Sequence, residues 1–149
     1  MCKIRLICLS FALGLPIETF SAPAVSTPGE RALRLECDIA SISQRDMHDC
    51  LEREVRKSFE ALKKYENEAI DRISKWDEDE RYINQTKAML ATSTKEFIRY
   101  RNAHCKFMTS LGGGAIGSAL ELGRLACVAE LNYRRAEQLH DAVSDIPKK

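Results

Sequence analysis

The chain has 149 residues, with 23 Lys+Arg against 22 Asp+Glu and a formal charge of +1. That length supports one domain with room for a removable segment, and the charge balance excludes the strong basic excess typical of a nucleic-acid binder. With 44% hydrophobic and 30% charged residues, the composition is that of a globular chain, and its six cysteines take their meaning from the compartment.

Residues 1–24 read as a secretory signal peptide. Lys3 and Arg5 supply a positive start, and the apolar run from Leu6 to Leu15 is too short to cross ~30 Å of hydrocarbon. Pro16 breaks that run, and Ala22-Pro23-Ala24 places small residues at a cleavage site. The mature chain is expected to start near Val25, with residues 25–36 as an N-terminal lead-in. Loss of Lys3, Arg5 and Glu18 brings the formal charge to 0, and loss of Cys2 and Cys8 leaves Cys37, Cys50, Cys105 and Cys127. An even number in an exported chain points to two disulfides.

No Pro or Gly occurs between Arg31 and Leu111, whereas a sheet protein needs turn residues every 8 to 12 positions. The expected fold is all-α: a small antiparallel bundle of three main helices, preceded by a short helical or irregular lead. The first helix begins at Ser41 to Ser43, where Ser41 with Gln44 has capping-box spacing and Ser43 with Asp46 adds an acid to the first turn. Met47, Leu51, Val55, Phe59, Leu62, Ala69, Ile73 and Trp76 then recur mostly at three- and four-residue steps and mark its apolar face.

A turn is expected across Trp76-Asp77-Glu78-Asp79-Glu80, with Asp77 as the cap of the second helix. Ile83, Leu90, Phe97, Tyr100, His104, Phe107 and Leu111 form that helix's near-heptad stripe. Gly112, Gly113 and Gly114 end it, because consecutive glycines carry a large entropic cost in a helix. Ser118 with Glu121 predicts a third helix from Ala119 to Val143, whose apolar residues spread over more than one stripe and suit two partners. Residues 144–149 are left as a C-terminal tail.

The cysteines fit this arrangement. Antiparallel helices bring residues together when their midpoint falls in the turn. The midpoint of Cys105 and Cys127 lies in the glycine segment, and that of Cys37 and Cys50 at the first cap. Four cysteines allow three connectivities, and the geometry favours Cys37–Cys50 with Cys105–Cys127. Each bridge would close a loop of roughly 14 to 23 residues, worth ~3 kcal/mol in the chain-entropy model.

Signals for catalysis or cofactors are weak. Gly112, Gly114 and Gly117 satisfy G-x-G-x-x-G, but a dinucleotide fingerprint follows a strand and here a helix precedes it. His48 lies near Cys50 and His104 adjoins Cys105 without zinc-ligand spacing, and no Gly-x-Ser-x-Gly occurs. Asn84-Gln85-Thr86 is a glycosylation acceptor only in a secreted eukaryotic chain. The expectation is no enzyme, no cofactor and no metal. Asp77, Glu78, Asp79 and Glu80 are the densest charge cluster, read either as a solvated turn or as an acidic tip facing a basic partner.

The cysteine frame resembles the LprI-like lysozyme-inhibitor domain family. The matching segments are Cys37 with Gln44 to Cys50, Phe97 to Cys105 including Arg101, the Gly112-Gly113-Gly114 run, and Cys127 with Arg135 and Leu139. The resemblance spans roughly 37–143. Phe97 stands where a Trp is common and Asn102 where the family has Asp, which marks a divergent member. It implies an exported, disulfide-bonded helical domain, with lysozyme inhibition in at least some members. It assigns no lysozyme-contacting residues. Arg101 and Arg135 are read as structural, each fork satisfying carboxylates or helix-end carbonyls beside the bridges.

The resulting expectation is a periplasmic or secreted binding protein that inhibits a lysozyme-type peptidoglycan hydrolase by occluding its cleft. The alternative is a non-inhibitory helical module of a bacterial cell-envelope complex. The partner is a protein, with no nucleic acid and no membrane span after leader removal. The candidate partner-binding residues are Asp77, Glu78, Asp79 and Glu80 at one end, and Gly112, Gly113 and Gly114 at the other.

Overall fold

A computed structural model describes residues 27–114 and 117–149. The expected leader at 1–24 and its cleavage site lie outside those residues. Among the described residues there are four helices where three main ones were expected: α1 (Glu30–Ile39), α2 (Gln44–Ser74), α3 (Glu80–Ser110) and α4 (Gly117–Ser144). The additional helix is α1, a ten-residue element. Leu33 and Cys37, one turn apart, are both buried, so its ordering comes from packing and a bridge rather than from a side-chain cap.

Ser43 caps α2, its Oγ accepting from the Asp46 amide at 3.2 Å. Ser41 serves the preceding helix instead, donating to the Cys37 carbonyl at 2.6 Å. α4 starts at Gly117 rather than at Ala119. Its Glu121 carboxylate is engaged by Arg124 at 2.8 Å.

Pairings between helices fix their directions. Ser58 meets Asn132 and Glu68 meets His140, so α2 and α4 run parallel. Ser93 meets Arg135 and Cys105 meets Cys127, so α3 runs antiparallel to α4. α1 packs on both α2 and α4, and α3 lies mainly on α4 with only a slight contact to α2. α4 is therefore the central element, with Leu122, Leu125, Ala126, Ala129, Ala136 and Leu139 among its buried residues. This accounts for the spread of its apolar positions over more than one stripe.

The outer helices show where the expected core faces were too broad. Phe59 is exposed, and Ser58, one position earlier, takes the buried place on α2. On α3 only Ile83 and Cys105 are buried, while Tyr100, Phe107 and Leu111 are exposed. A helix seated chiefly on one neighbour buries a narrow seam, and the rest of a wide apolar stripe stays in solvent.

Candidate functional site

The acidic turn lies where α2 hands over to α3. The N-cap of α3 is Asp79, with no side-chain cap bond, and not Asp77 as expected. The reason is the C-terminal segment, which folds back along the turn. Trp76 and Lys148 form an antiparallel bridge, the Asp77 amide donates to the Pro147 carbonyl at 3.1 Å, and the Lys149 amide donates to the Lys75 carbonyl at 3.0 Å. The backbone of Asp77 is thereby held outside the helix.

Asp77, Glu78, Asp79 and Glu80 are all exposed. None takes part in an ion pair among the described residues. Three lysines surround them. Lys149 Nζ donates to the Glu78 carbonyl at 3.2 Å, and Lys75 pairs with Asp71 at 2.7 Å. The hydrogen bond from Lys75 holds the Asp71 carboxyl below its ordinary range, with Lys148 adding to the effect. The acidic tip is therefore partly offset by cations that sequence reasoning left in a free tail.

At the other end, Leu111 caps α3 and the chain turns through Gly112, Gly113 and Gly114. Gly113 has φ +54° with nothing within 4 Å of an added Cβ, so its requirement is the left-handed backbone rather than space. Gly112 borders a groove of about 240 Å³ between α1, α3 and α4, which includes Arg34, Met108 and Leu120. Gly113 borders a second groove of about 450 Å³, walled by Cys105, Thr109, Leu120 and Val128. Residues 115–116 lie outside the described set. The length of α3, about 46 Å at 1.5 Å per residue, separates this turn from the acidic one. The structure does not bring the two candidate patches together.

Arg101 and Arg135 meet at the α3–α4 seam. Arg101 Nη1 donates to Asn132 Oδ1 at 2.8 Å, and its Nε and Nη2 reach Asn102 Oδ1 at 3.3 and 3.1 Å. Arg135 Nη2 donates to Ser93 Oγ at 2.7 Å. Both guanidiniums lie over the Phe97 ring, 5.9 and 5.8 Å from its centroid. The expected carboxylate or helix-end acceptors are replaced by neutral amides and a hydroxyl in mid-helix. Burial lowers the pKa of Arg101 from its ordinary value, but a guanidinium stays charged at any pH the protein meets. Arg135 Nε is buried without a hydrogen-bond partner among the described residues, and the π-face of Phe97 is the compensation it has.

Asn132 continues the network inward. Its Nδ2 donates to Ser58 Oγ at 3.1 Å, and Ser58 donates to the Val55 carbonyl at 2.8 Å. Sequence reasoning missed both residues. Their signal was a polar side chain recurring at a core step of each helix, Ser58 between Leu51 and Leu62, and Asn132 between Ala129 and Ala136.

The disulfides Cys37–Cys50 and Cys105–Cys127 each have Cα atoms 5.7 Å apart, within ordinary bridging distance. The bridges thus follow the connectivity that the helix midpoints favoured. His48, Asp49 and Glu52 place possible ligand atoms within 4.8 Å of one another on the exposed side of α2. Surface carboxylates commonly gather this way without a metal.

The family comparison gives this frame its meaning. The family model described as lysozyme inhibitor LprI matches residues 37–139, most of the chain. The chain belongs to the LprI family. No curated protein and no solved structure matches it. The LprI match opens at Cys37, the first bridged cysteine. It closes at Leu139, in the cluster with Leu62 and Ala136, and so takes in both disulfides, the arginine seam and both turns. LprI describes an inhibitor rather than an enzyme. Among the described residues no helix is long and apolar enough to cross a membrane.

Proposed function

We propose that this LprI-family protein is exported to the periplasm or secreted, and that it binds a lysozyme-type peptidoglycan hydrolase stoichiometrically, occluding the cleft without chemistry. The family match over residues 37–139 carries this reading. Export is supported by the leader-like residues 1–24 and by two disulfides, which persist in oxidising compartments.

The acidic turn is the face we assign to a basic hydrolase. Its four exposed carboxylates lack ion-pair partners among the described residues, so they are available for complementary charge, which governs encounter and specificity. The glycine turn is the second candidate, and the distance between the two makes them alternatives for a single cleft. Arg101 and Arg135 are read as structural, tying α3 to α4.

The test is lysozyme turnover of peptidoglycan in the presence of the purified, oxidised protein. Inhibition that saturates at a fixed molar ratio supports the proposal. Full lysozyme activity at excess protein overturns it in favour of a non-inhibitory envelope module.

A further inference from the structure

α3 differs from the other helices in two independent ways. The first is charge. It carries Arg81, Lys87, Lys95, Arg99, Arg101 and Lys106 against Glu80 and Glu96, a net +4 in a nearly neutral chain. Only Arg99 is ion-paired within the helix, to Glu96 at 3.1 Å. Arg81, Lys87, Lys95, Arg101 and Lys106 have no carboxylate partner among the described residues.

The second is exposed apolar surface. Tyr82 (42%), Met89 (61%), Tyr100 (55%), Phe107 (57%) and the capping Leu111 (65%) are all exposed. Their spacings of 7, 11, 7 and 4 residues are close to whole helical turns, so they fall within about 40° of one another and form a stripe about 43 Å long. Arg81, Lys95, Arg99 and Lys106 share a second arc of similar width, roughly 120° around the helix. The buried seam, marked by Ile83 and Cys105, occupies the remaining side.

We propose that the solvent face of α3 docks on an anionic lipid surface, with α3 lying flat on it. Aromatic and aliphatic side chains flanked by cations on one helix are the pattern of an interfacial helix: the apolar stripe enters the headgroup boundary while Lys and Arg reach the anionic groups. Charge selects this occupant. A second copy of the chain would set one cationic face against another, and a basic protein would be repelled in the same way. A soluble polyanion would use the cations and leave the apolar stripe uncovered. The acidic turn at the start of α3 is repelled by such a surface, so the contact centres on Met89 to Leu111. This surface does not depend on lysozyme inhibition, and it leaves both candidate inhibitor patches outside the row of cations.

The experiment is co-sedimentation of the oxidised protein with vesicles of mixed phosphatidylglycerol and phosphatidylcholine, and with phosphatidylcholine alone, at low and high salt. Binding is expected to the anionic vesicles and to fall steeply with salt. At about fivefold per charge, Lys95→Gln/Arg99→Gln/Lys106→Gln should weaken it on the order of 100-fold. Tyr100→Ser/Phe107→Ser should weaken it about tenfold with every charge intact. All five side chains involved are exposed, so circular dichroism and Tm should hold in both variants, as should lysozyme inhibition where the wild type has it. Equal binding to neutral and anionic vesicles overturns the proposal. Wild-type affinity in the Tyr100/Phe107 variant overturns it in favour of a soluble polyanion. Concentration-dependent dimerisation abolished by that variant overturns it in favour of a second copy.

Discussion

Arg101 reaches across from α3 to donate a 2.8 Å hydrogen bond to Asn132, a side chain 1% exposed at the centre of the bundle. Asn132 in turn holds Ser58, which is 0% exposed, so one buried amide links three helices. Such a network contributes mainly through the cost of breaking it, since each buried polar group left unpaired loses its partner without regaining water.

Replacing Asn132 with Leu should therefore cost about 2 to 3 kcal/mol, more than a volume-conserving core swap, because Arg101 and Ser58 both lose a partner. Urea unfolding of the oxidised protein measures it. A midpoint within error of wild type would show that the relay is not stabilising. Adding Ser58→Ala should return part of the loss, because one of the two stranded groups is then gone.

The two disulfides should fail differently. Each is worth about 3 kcal/mol in the chain-entropy model, but they restrain different structure. α1 offers only Leu33 and Cys37 to the core, so Cys37→Ala/Cys50→Ala should release α1 locally. Its amides should lose hydrogen-exchange protection while α2 to α4 keep theirs. Cys105→Ala/Cys127→Ala should instead lower the global stability, because that bridge joins α3 to the helix that carries most of its packing. Persistent protection across α1 after removal of Cys37–Cys50 would contradict this division.

Tyr133 gives the fold an alkaline limit. Burial, followed by the charge of Glu54 and its hydrogen bond with the phenol, pushes its pKa up to about 12. The hydroxyl donates to Glu54 Oε2 at 3.2 Å. Folding favours the protonated phenol, so this contribution is fully present below the unfolded value of about 10 and is lost as pH rises towards 12. The ultraviolet titration of wild type minus that of Tyr133→Phe should show a step near 12. The variant's Tm should also fall less steeply over that range. A difference step near the ordinary tyrosine value of about 10 would refute the assignment.

Much of this architecture was legible because helix signals are local. The Ser43 cap, the glycine stop after Leu111 and the three- and four-residue apolar steps of α2 each follow from neighbours in the chain. The cysteine pairing followed from helix direction. What escaped depended on which helix faces which. Phe59 and Ser58 are both compatible with the spacing of α2, and only the approach of Asn132 decides for Ser58. Tyr100 and Phe107 sit on a stripe with core spacing, yet α3 rests on too few neighbours to bury them. The acidic turn was readable as four charges, whereas its clamp by Pro147, Lys148 and Lys149 depends on α2 and α4 running parallel to a shared end.

That clamp shapes the prediction for the acidic turn itself. If the turn meets a basic hydrolase, Asp77→Asn/Glu78→Gln/Asp79→Asn/Glu80→Gln should weaken inhibition and flatten its dependence on salt. Long-range attraction between exposed charges is what salt screens. Most of the loss should appear in the association rate, since rim charges steer encounter more than they hold the complex. Because Lys148 and Lys149 offset the turn, Lys148→Gln/Lys149→Gln should act in the opposite direction and speed association at low salt. Among the described residues the Lys149 side chain donates only to the Glu78 carbonyl, and the backbone bridge of the tail does not depend on either side chain. Stopped-flow association at several ionic strengths separates the cases. Identical rates for the acid-neutralised and wild-type proteins would remove the acidic turn from the interface and leave the glycine turn as the candidate.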